Sequence, residues 1–302
     1  MSKVILSNNN IGNRIASLRD KLETKNGLRI METHSPLSAM LVENIKFENK
    51  KEIVEYDGFW SSSLTDSAIR GKPDIELIDI AHRLSAVSEI FDVTSKPLIF
   101  DADTGGKIEH IVYSISTAER LGISAVIIED KEGLKKNSLL GNDVYQKQAK
   151  PEEFAEKVSA AAKAAKTDEF MLIARIESLI LDAGMEDALL RANLYVEAGA
   201  KGIMIHSRKT DPTEIFVFAK RFKNSHPTIT LVCVPTSFNQ VKFDDLVNHG
   251  YNIVIYANHL LRAAYPAMKY VAEMILKNGR TQEVEGICMS INDILELIPG
   301  TK

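Results

Sequence analysis

The sequence predicts a closed (β/α)8 barrel of the TIM type, an α/β fold, with an extra helix before the first strand and helices after the last. Three observations carry this expectation. Eight short apolar or β-branched runs recur along the 302 residues, and segments of helical character stand between them. The strand centres are apolar on both faces, as in a parallel sheet covered by helices. Eight such units in about 250 residues match a closed barrel better than an open sheet.

In chain order, the stretch 11–27 (IGNRIASLRDKLETKNG) reads as the extra helix, with Asn10 as a cap. The strands are expected at 29–35, 53–60, 96–103, 124–130, 170–177, 201–207, 228–235 and 252–258. Pro151 and two acids open a helix over 151–166, a good N-terminal signature. Another helix spans 185–200, ending near Gly199, and 280–302 forms a C-terminal helical tail. With no linker or low-complexity stretch, the expected organisation is one barrel domain over 1–302 with terminal additions, 1–27 being the N-terminal one.

Composition narrows the function. The chain is 45% hydrophobic and 26% charged, ordinary for a globular protein with a sizeable core. A net charge of −4 supplies no basic field for nucleic acid. No apolar run approaches the roughly 20 residues needed to cross a bilayer, and MSKVILSNNN is not a secretory signal. Cys233 and Cys288 lie far apart, outside any metal spacing. The expectation is a cytoplasmic, thiol-reduced protein without nucleic-acid or membrane partners.

In this fold the active site lies at the carboxyl ends of the strands. The third strand ends in Asp101 and Asp103, two apart and so on one face. The fourth ends in Glu129, the fifth in Arg175 and Glu177, and the sixth in His206 and Ser207, while the second runs into WSSSLTDS. Acids without thiols and with few imidazoles suit Mg²⁺ or Mn²⁺. Arg175, His206 and Lys135 supply positive charge and donors for an anionic substrate, a phosphate or carboxylate. Each feature also has a plain structural reading. An Asp-x-Asp is as often a cap or a loop ion pair as a metal site; His206 could be a satisfied core histidine, Trp60 packing, and the charged stretch EDKEGLKKNS (129–138) a solvated turn. Their common place on strand tails of one face favours function.

The stretch EDK-(five residues)-NS, standing here as Glu129-Asp130-Lys131 and Asn137-Ser138, resembles the signature of the phosphoenolpyruvate mutase branch of the isocitrate lyase superfamily. The resemblance runs from about residue 28 to the final helices. It includes GFWSSSLTDSAIRGKPD, PLIFDADTGG, ARIES, GAKGIMIHSRKTDP, VCVPT and IYANHLLRA. It implies interconversion of phosphoenolpyruvate and phosphonopyruvate, with Asp101 as direct Mg²⁺ ligand and Asp103 and Glu129 acting through metal-bound water. Ser62 and Ser63 would hold the pyruvate end, with Trp60 walling the pocket. Arg175 and His206 would grip the phosphoryl group; Lys135 and Asn137 would close over it on a lid, residues 130–138, whose Gly133 gives backbone freedom. Ser138 and Ser207 would be supporting binding groups, and Asp74 would guide the migrating group or Lys135.

There are departures. DADTGGK is one residue shorter than the usual DTGYG and lacks its aromatic, and Ser63 stands where glycine is usual. The rival activity is phosphonopyruvate hydrolysis on the same Mg²⁺ site; that branch tends to carry threonine where this chain has Asn137. Carbon–carbon lyases of the superfamily place a catalytic cysteine in the lid, and residues 1–232 contain no cysteine. A non-catalytic metabolite-binding barrel would not need both the acid set and the lid. The resemblance further implies a homotetramer or homodimer, with a C-terminal helix exchanged between subunits.

Overall fold

The computed structural model describes residues 11–48, 52–298 and 300; the expected cap Asn10 lies outside them. Eight parallel strands close into a barrel: β1 (Leu28–Glu32), β2 (Gly58–Ser61), β3 (Leu98–Asp101), β4 (Ala125–Glu129), β5 (Met171–Ile176), β6 (Gly202–Ile205), β7 (Thr230–Cys233) and β8 (Ile253–Tyr256), each bonded to its neighbours in chain order and β8 to β1. Helices α1 (Ile11–Thr24), α2 (Pro36–Asn44), α3 (Ser63–Ala68), α4 (Ile80–Asp92), α5 (Ile108–Leu121) and α6 (Pro151–Ala164) precede or follow the first strands. They are joined by α7 (Met185–Glu197), α8 (Thr213–Ser225), α9 (Phe243–Asn248), α10 (His259–Asn278) and α11 (Ile291–Leu297). Among the described residues no helix is long and apolar enough to cross a membrane.

One expected strand, 53–60, divides in two. Ile53–Glu55 pairs antiparallel with Lys46–Glu48 in a surface hairpin, and only Gly58–Ser61 enters the barrel. Asp57 marks the break. Its carboxylate accepts from Arg29 N at 2.8 Å and from Lys25 Nζ at 2.5 Å, pinning the chain to the foot of β1. The helices end earlier than their sequence patterns, α1 at Thr24 and α7 at Glu197. The stretch 280–302 contributes the short α11, with no residue of α10 or α11 buried.

Two apolar layers follow from the period of two along each strand. Ile30, Trp60, Ile99, Ile127, Ile173 and Met204 fill the barrel interior, while their neighbours Phe59, Phe100, Val126, Ile128 and Ala174 pack outward against the helices. Backbone approaches closely at Gly58, where an added Cβ would lie 2.6 Å from the Pro97 carbonyl oxygen and 3.1 Å from Ile30 Cδ1. That oxygen already accepts from Phe59 N at 2.8 Å, so it cannot retreat freely. Gly58→Ala is therefore expected to lower stability by about 2 kcal/mol, the usual cost of overpacking. A shift of the urea midpoint at unchanged m-value checks it.

Candidate active site

The same alternation places the polar groups. On β3, Ile99 faces inward, so Asp101 does too; on β4 Ile127 carries Glu129 inward, on β5 Ile173 carries Arg175, and beyond β6 Met204 sets the phase for His206. All four line one pocket at the carboxyl ends of the strands, together with Trp60, Ser62, Ser63 and Asp74. Lys135, Asn137 and Ser138 reach the same pocket from the segment beyond β4. Two expected residues do not line it. Ser207 has the opposite parity and gives its hydroxyl to Glu214, while accepting from Lys209 N at 3.1 Å. Asp103 stands just behind, with φ 55°, accepting from Arg83 Nη1 at 3.1 Å and from Lys135 Nζ.

The pocket has two ends. At one, β2 and β3 supply Ser63 and the aspartates. Asp101 Oδ1 accepts from Asp103 N at 3.1 Å and Oδ2 from Ser63 Oγ at 3.1 Å. Burial pushes the Asp101 carboxyl up, but the Lys135 and Arg83 cations more than offset it and hold it below its ordinary value. For Asp103 burial prevails over Lys135, and its pKa is raised. Beneath them Arg83, 1% exposed, also donates from Nε to Asp66 Oδ2 at 2.9 Å and lies 4.5 Å from the Phe100 ring centroid.

At the other end Arg175 is held on three sides. Its Nε donates to Glu177 Oε1 at 2.6 Å, and Nη2 donates to Ser138 Oγ at 2.6 Å and to His206 Nδ1 at 2.9 Å. Guanidinium is only a donor, so His206 Nδ1 must accept and its proton sits on Nε2. That Nε2 is buried without a hydrogen-bond partner in the pocket wall. Burial, reinforced by Arg175, lowers the His206 pKa to about 3, which keeps the imidazole neutral and a donor at Nε2. Burial raises Glu177, but Arg175 and Lys131 outweigh it and bring the carboxyl to about 2. The arrangement is an anion grip with a fixed guanidinium and a fixed imidazole N–H.

The lid joins the two ends. It begins at a two-stranded stem, Lys131–Glu132 against Lys147–Gln148. Lys131, far from a solvated lysine, is 3% exposed and donates to Lys136 O (2.8 Å), Ser138 Oγ (2.9 Å) and Gln146 Oε1 (3.1 Å). At the tip Lys135, 5% exposed, donates to Asp74 Oδ1 at 2.7 Å, Ser63 Oγ at 2.5 Å and Asp103. Asn137 Nδ2 donates to the other oxygen of Asp74 at 3.1 Å. Burial opposes the Lys135 charge, but Asp103 and Asp101 prevail and its pKa rises. Behind the lid Asp130, of outward parity and 0% exposed, accepts from Glu177 N (2.9 Å), Gln148 Nε2 (2.9 Å) and Tyr195 OH (2.9 Å).

Glu177, Lys131 and Arg83 are the supporting residues that the sequence reading did not select. Glu177 and Lys131 had a signal, their spacing from Arg175 and their place in EDK. Arg83 had none, since its burial is set by where α4 docks.

The donor chemistry fits a hard divalent cation. Asp101 and Glu129 share the pocket, and Glu129 Oε1 is buried with no hydrogen-bond partner, 3.3 Å from Lys131 Nζ. Burial raises the Glu129 carboxyl to about 7 despite Lys131 and Arg175. Among the described residues no three acids, histidines or cysteines are grouped to hold a metal. Asp103 is committed to Arg83 and Lys135. The set suits an ion such as Mg²⁺ that keeps most of its waters and takes few direct protein ligands.

At the carboxyl face of this (β/α)8 barrel the pocket sets a fixed guanidinium and imidazole N–H beside buried carboxylates, an arrangement able to hold a small anion next to a cation. The family model for phosphoenolpyruvate phosphomutase matches residues 18–276, and the chain belongs to that family. It is 35% identical to the phosphonopyruvate hydrolase of Variovorax sp. (strain Pal2), over 93% of each chain. A solved phosphoenolpyruvate phosphomutase from Streptomyces platensis subsp. rosaceus superposes with a TM-score of 0.86 at 33% identity, covering 94% of each chain. A phosphonopyruvate hydrolase solved in complex with oxalate and Mg²⁺ superposes with a TM-score of 0.83 at 33% identity over 94% of each chain. Relatives with both activities thus stand at similar distance.

Proposed function

We propose that the protein is a phosphoenolpyruvate mutase, an isomerase that interconverts phosphoenolpyruvate and phosphonopyruvate: a P–O bond breaks and a P–C bond forms to the same three-carbon unit. The observation that carries this reading is the place of Asn137, whose amide is tied to Asp74 beside Lys135 and faces the pocket. A mutase must hold a metaphosphate-like phosphoryl group between two atoms of one enolate while water is kept out. An amide at this point of the lid supports that demand. The rival reading, phosphonopyruvate hydrolysis, uses the same groups but delivers the phosphoryl group to water.

The chain's own residues divide the work. Arg175 and the His206 Nε2–H bind the phosphoryl oxygens, and Glu177 and Ser138 keep the guanidinium in plane. Ser62 and Ser63 face the carboxylate end, with Trp60 as its wall. Lys135, on the lid and bonded to Ser63, Asp74 and Asp103, follows negative charge as it passes from phosphoryl group to enolate. A bound Mg²⁺, or Mn²⁺, held by Asp101 with Glu129 opposite, would supply Lewis-acid stabilisation of the enolate oxygen. A carbon–carbon lyase has less support: the lid contains no cysteine, and Cys233 is buried. We also propose a homodimer or homotetramer, because α10 and α11 bury none of their own residues, leaving Tyr265, Met268 and Ile291 exposed.

Phosphorus NMR of the purified protein with phosphonopyruvate and Mg²⁺ tests the assignment. The expected result is a growing phosphoenolpyruvate signal. Inorganic phosphate as sole product would make the protein a hydrolase and overturn the role given to Asn137.

A further inference from the structure

The lid's returning arm, Ser138–Asp143, makes contacts outside the pocket that catalysis does not explain. Gly141 sits at φ 48°, ψ −132°, backbone that favours glycine. An added Cβ there would come within 2.0 Å of Arg208 Cζ and 2.3 Å of its Nε and Nη1, three atoms of one guanidinium. The Arg208 guanidinium therefore lies flat against the lid backbone, and its Nε is buried without a hydrogen-bond partner. Its Nη2 is 3.6 Å from Asp182 Oδ2, and that same oxygen accepts from Asn142 Nδ2 at 2.7 Å. Asp182 itself holds φ 58°, a conformation costly for a side chain other than glycine, asparagine or aspartate.

The arm is also tied to the lid's stem and to its working residues. Gly141 O accepts from Gln146 Nε2 at 2.6 Å, and Gln146 Oε1 accepts from Lys131. Asn137 caps the arm, accepting from Leu139 N at 3.0 Å while its amide nitrogen reaches Asp74. Whatever fixes Gly141 and Asn142 thus fixes where Asn137 and Ser138 begin. Arg208 follows His206 by two residues and Asp182 follows Glu177 by five, so the loop after β6 gives the pocket His206 and the lid Arg208, while the loop after β5 gives Arg175 its partner Glu177 and the lid Asp182.

We propose that Arg208 and Asp182 are positioning residues that clamp the lid arm at Gly141–Asn142, and that this clamp governs how completely the lid excludes water from the phosphoryl group. The second half rests on the mutase reading above; the first does not. Neither residue touches the substrate. Loss of the clamp leaves Arg175, His206 and Lys135 in place, but lets the arm lift more often. Water then captures a share of the phosphoryl group, the enolate left behind takes a proton, and inorganic phosphate and pyruvate appear in equal amounts beside the isomer.

The test uses the full chain with Gly141→Ala, Asn142→Ala, Arg208→Ala and the Gly141→Ala/Arg208→Ala pair. Tryptic cleavage after Lys135 or Lys136, followed by mass spectrometry, reads lid opening without reference to activity. Gly141→Ala is expected to speed it about tenfold, and Asn142→Ala, which removes one hydrogen bond without backbone strain, about threefold. Gly141→Ala should cost less when Arg208 is already alanine, because the steric partner is gone. Unchanged cleavage in all three single variants, or strictly additive effects in the pair, overturns the clamp. Faster cleavage with an unchanged ratio of phosphate to isomer overturns its part in excluding water. A wild-type protein without phosphonopyruvate turnover would defeat the proposed function, while the cleavage rates would still decide the clamp.

Discussion

Lys135→Met is expected to lower kcat/KM at least about a thousandfold, more than loss of one transition-state donor usually costs. Three acceptors, Asp74, Asp103 and Ser63, converge on this one ammonium, and Asp101 lies one hydrogen bond further on through Ser63. Methionine fills the volume but removes the charge. Asp74 and Asp103 then face each other with only Arg83 behind Asp103, and an uncompensated buried charge costs about 3–5 kcal/mol. Because Lys135 opposes the effect of burial at both Asp101 and Asp103, its loss should also raise both of their pKa values. Activity remaining in the variant should therefore fall away at higher pH than in the wild type as the carboxylates protonate. Steady-state kinetics across pH, with far-UV circular dichroism to show retained fold, check both statements. A loss below about tenfold would mean that the ammonium is a structural tie only.

Asp101→Asn is expected to abolish metal-dependent turnover, again by at least about three orders of magnitude, since Lewis-acid stabilisation of the enolate is worth several kcal/mol. The substitution is chosen to separate charge from shape. With the amide oxygen in the place of Oδ1 it still accepts from Asp103 N, and the amide nitrogen in the place of Oδ2 can donate to Ser63 Oγ, so the loop after β3 keeps both contacts with the second reversed in direction. Glu129→Gln should fall far less, because Glu129 stands across the pocket with Lys131 and Arg175 beside it. Calorimetric titration of Mg²⁺ into each variant supplies a readout independent of turnover. Weakened binding in Asp101→Asn and near-normal binding in Glu129→Gln is the expected pair, and the reverse order would reassign the ligand.

Much of this site could be read in the sequence because it obeys one rule, the strand period of two. Once Ile99, Ile127, Ile173 and Met204 are taken as inward, Asp101, Glu129, Arg175 and His206 follow. The rule also explains Ser207: next to His206 in sequence, it must face the other way, and it serves Glu214. What escaped depends on how elements dock. Arg83 looks like any polar helix position until α4 packs on the barrel and buries it against Asp66 and Asp103. The stretch 53–60 (IVEYDGFW) reads as one strand with two acids in it, and it is Asp57, held by groups near β1, that divides it. The lid's three lysines invite the picture of a solvated loop, yet Lys131 and Lys135 are buried. Composition does not tell which charges find partners.

The two ends of the pocket have separate origins along the chain. The groups around Asp101 come from β2, β3 and the turns after them, while the grip around Arg175 comes from β4, β5, β6 and the lid. Lys135 and Asn137, both on the lid, cross from one set to the other. In evolutionary terms such a site can diverge by halves. On the proposed function, substitutions confined to the first stretch would change which carbon skeleton is accepted while the groups assigned to phosphorus are inherited unaltered. The converse also holds. The lid residues that couple the halves, Lys135 above all with its three acceptors, are then the positions at which a lineage has least freedom to vary.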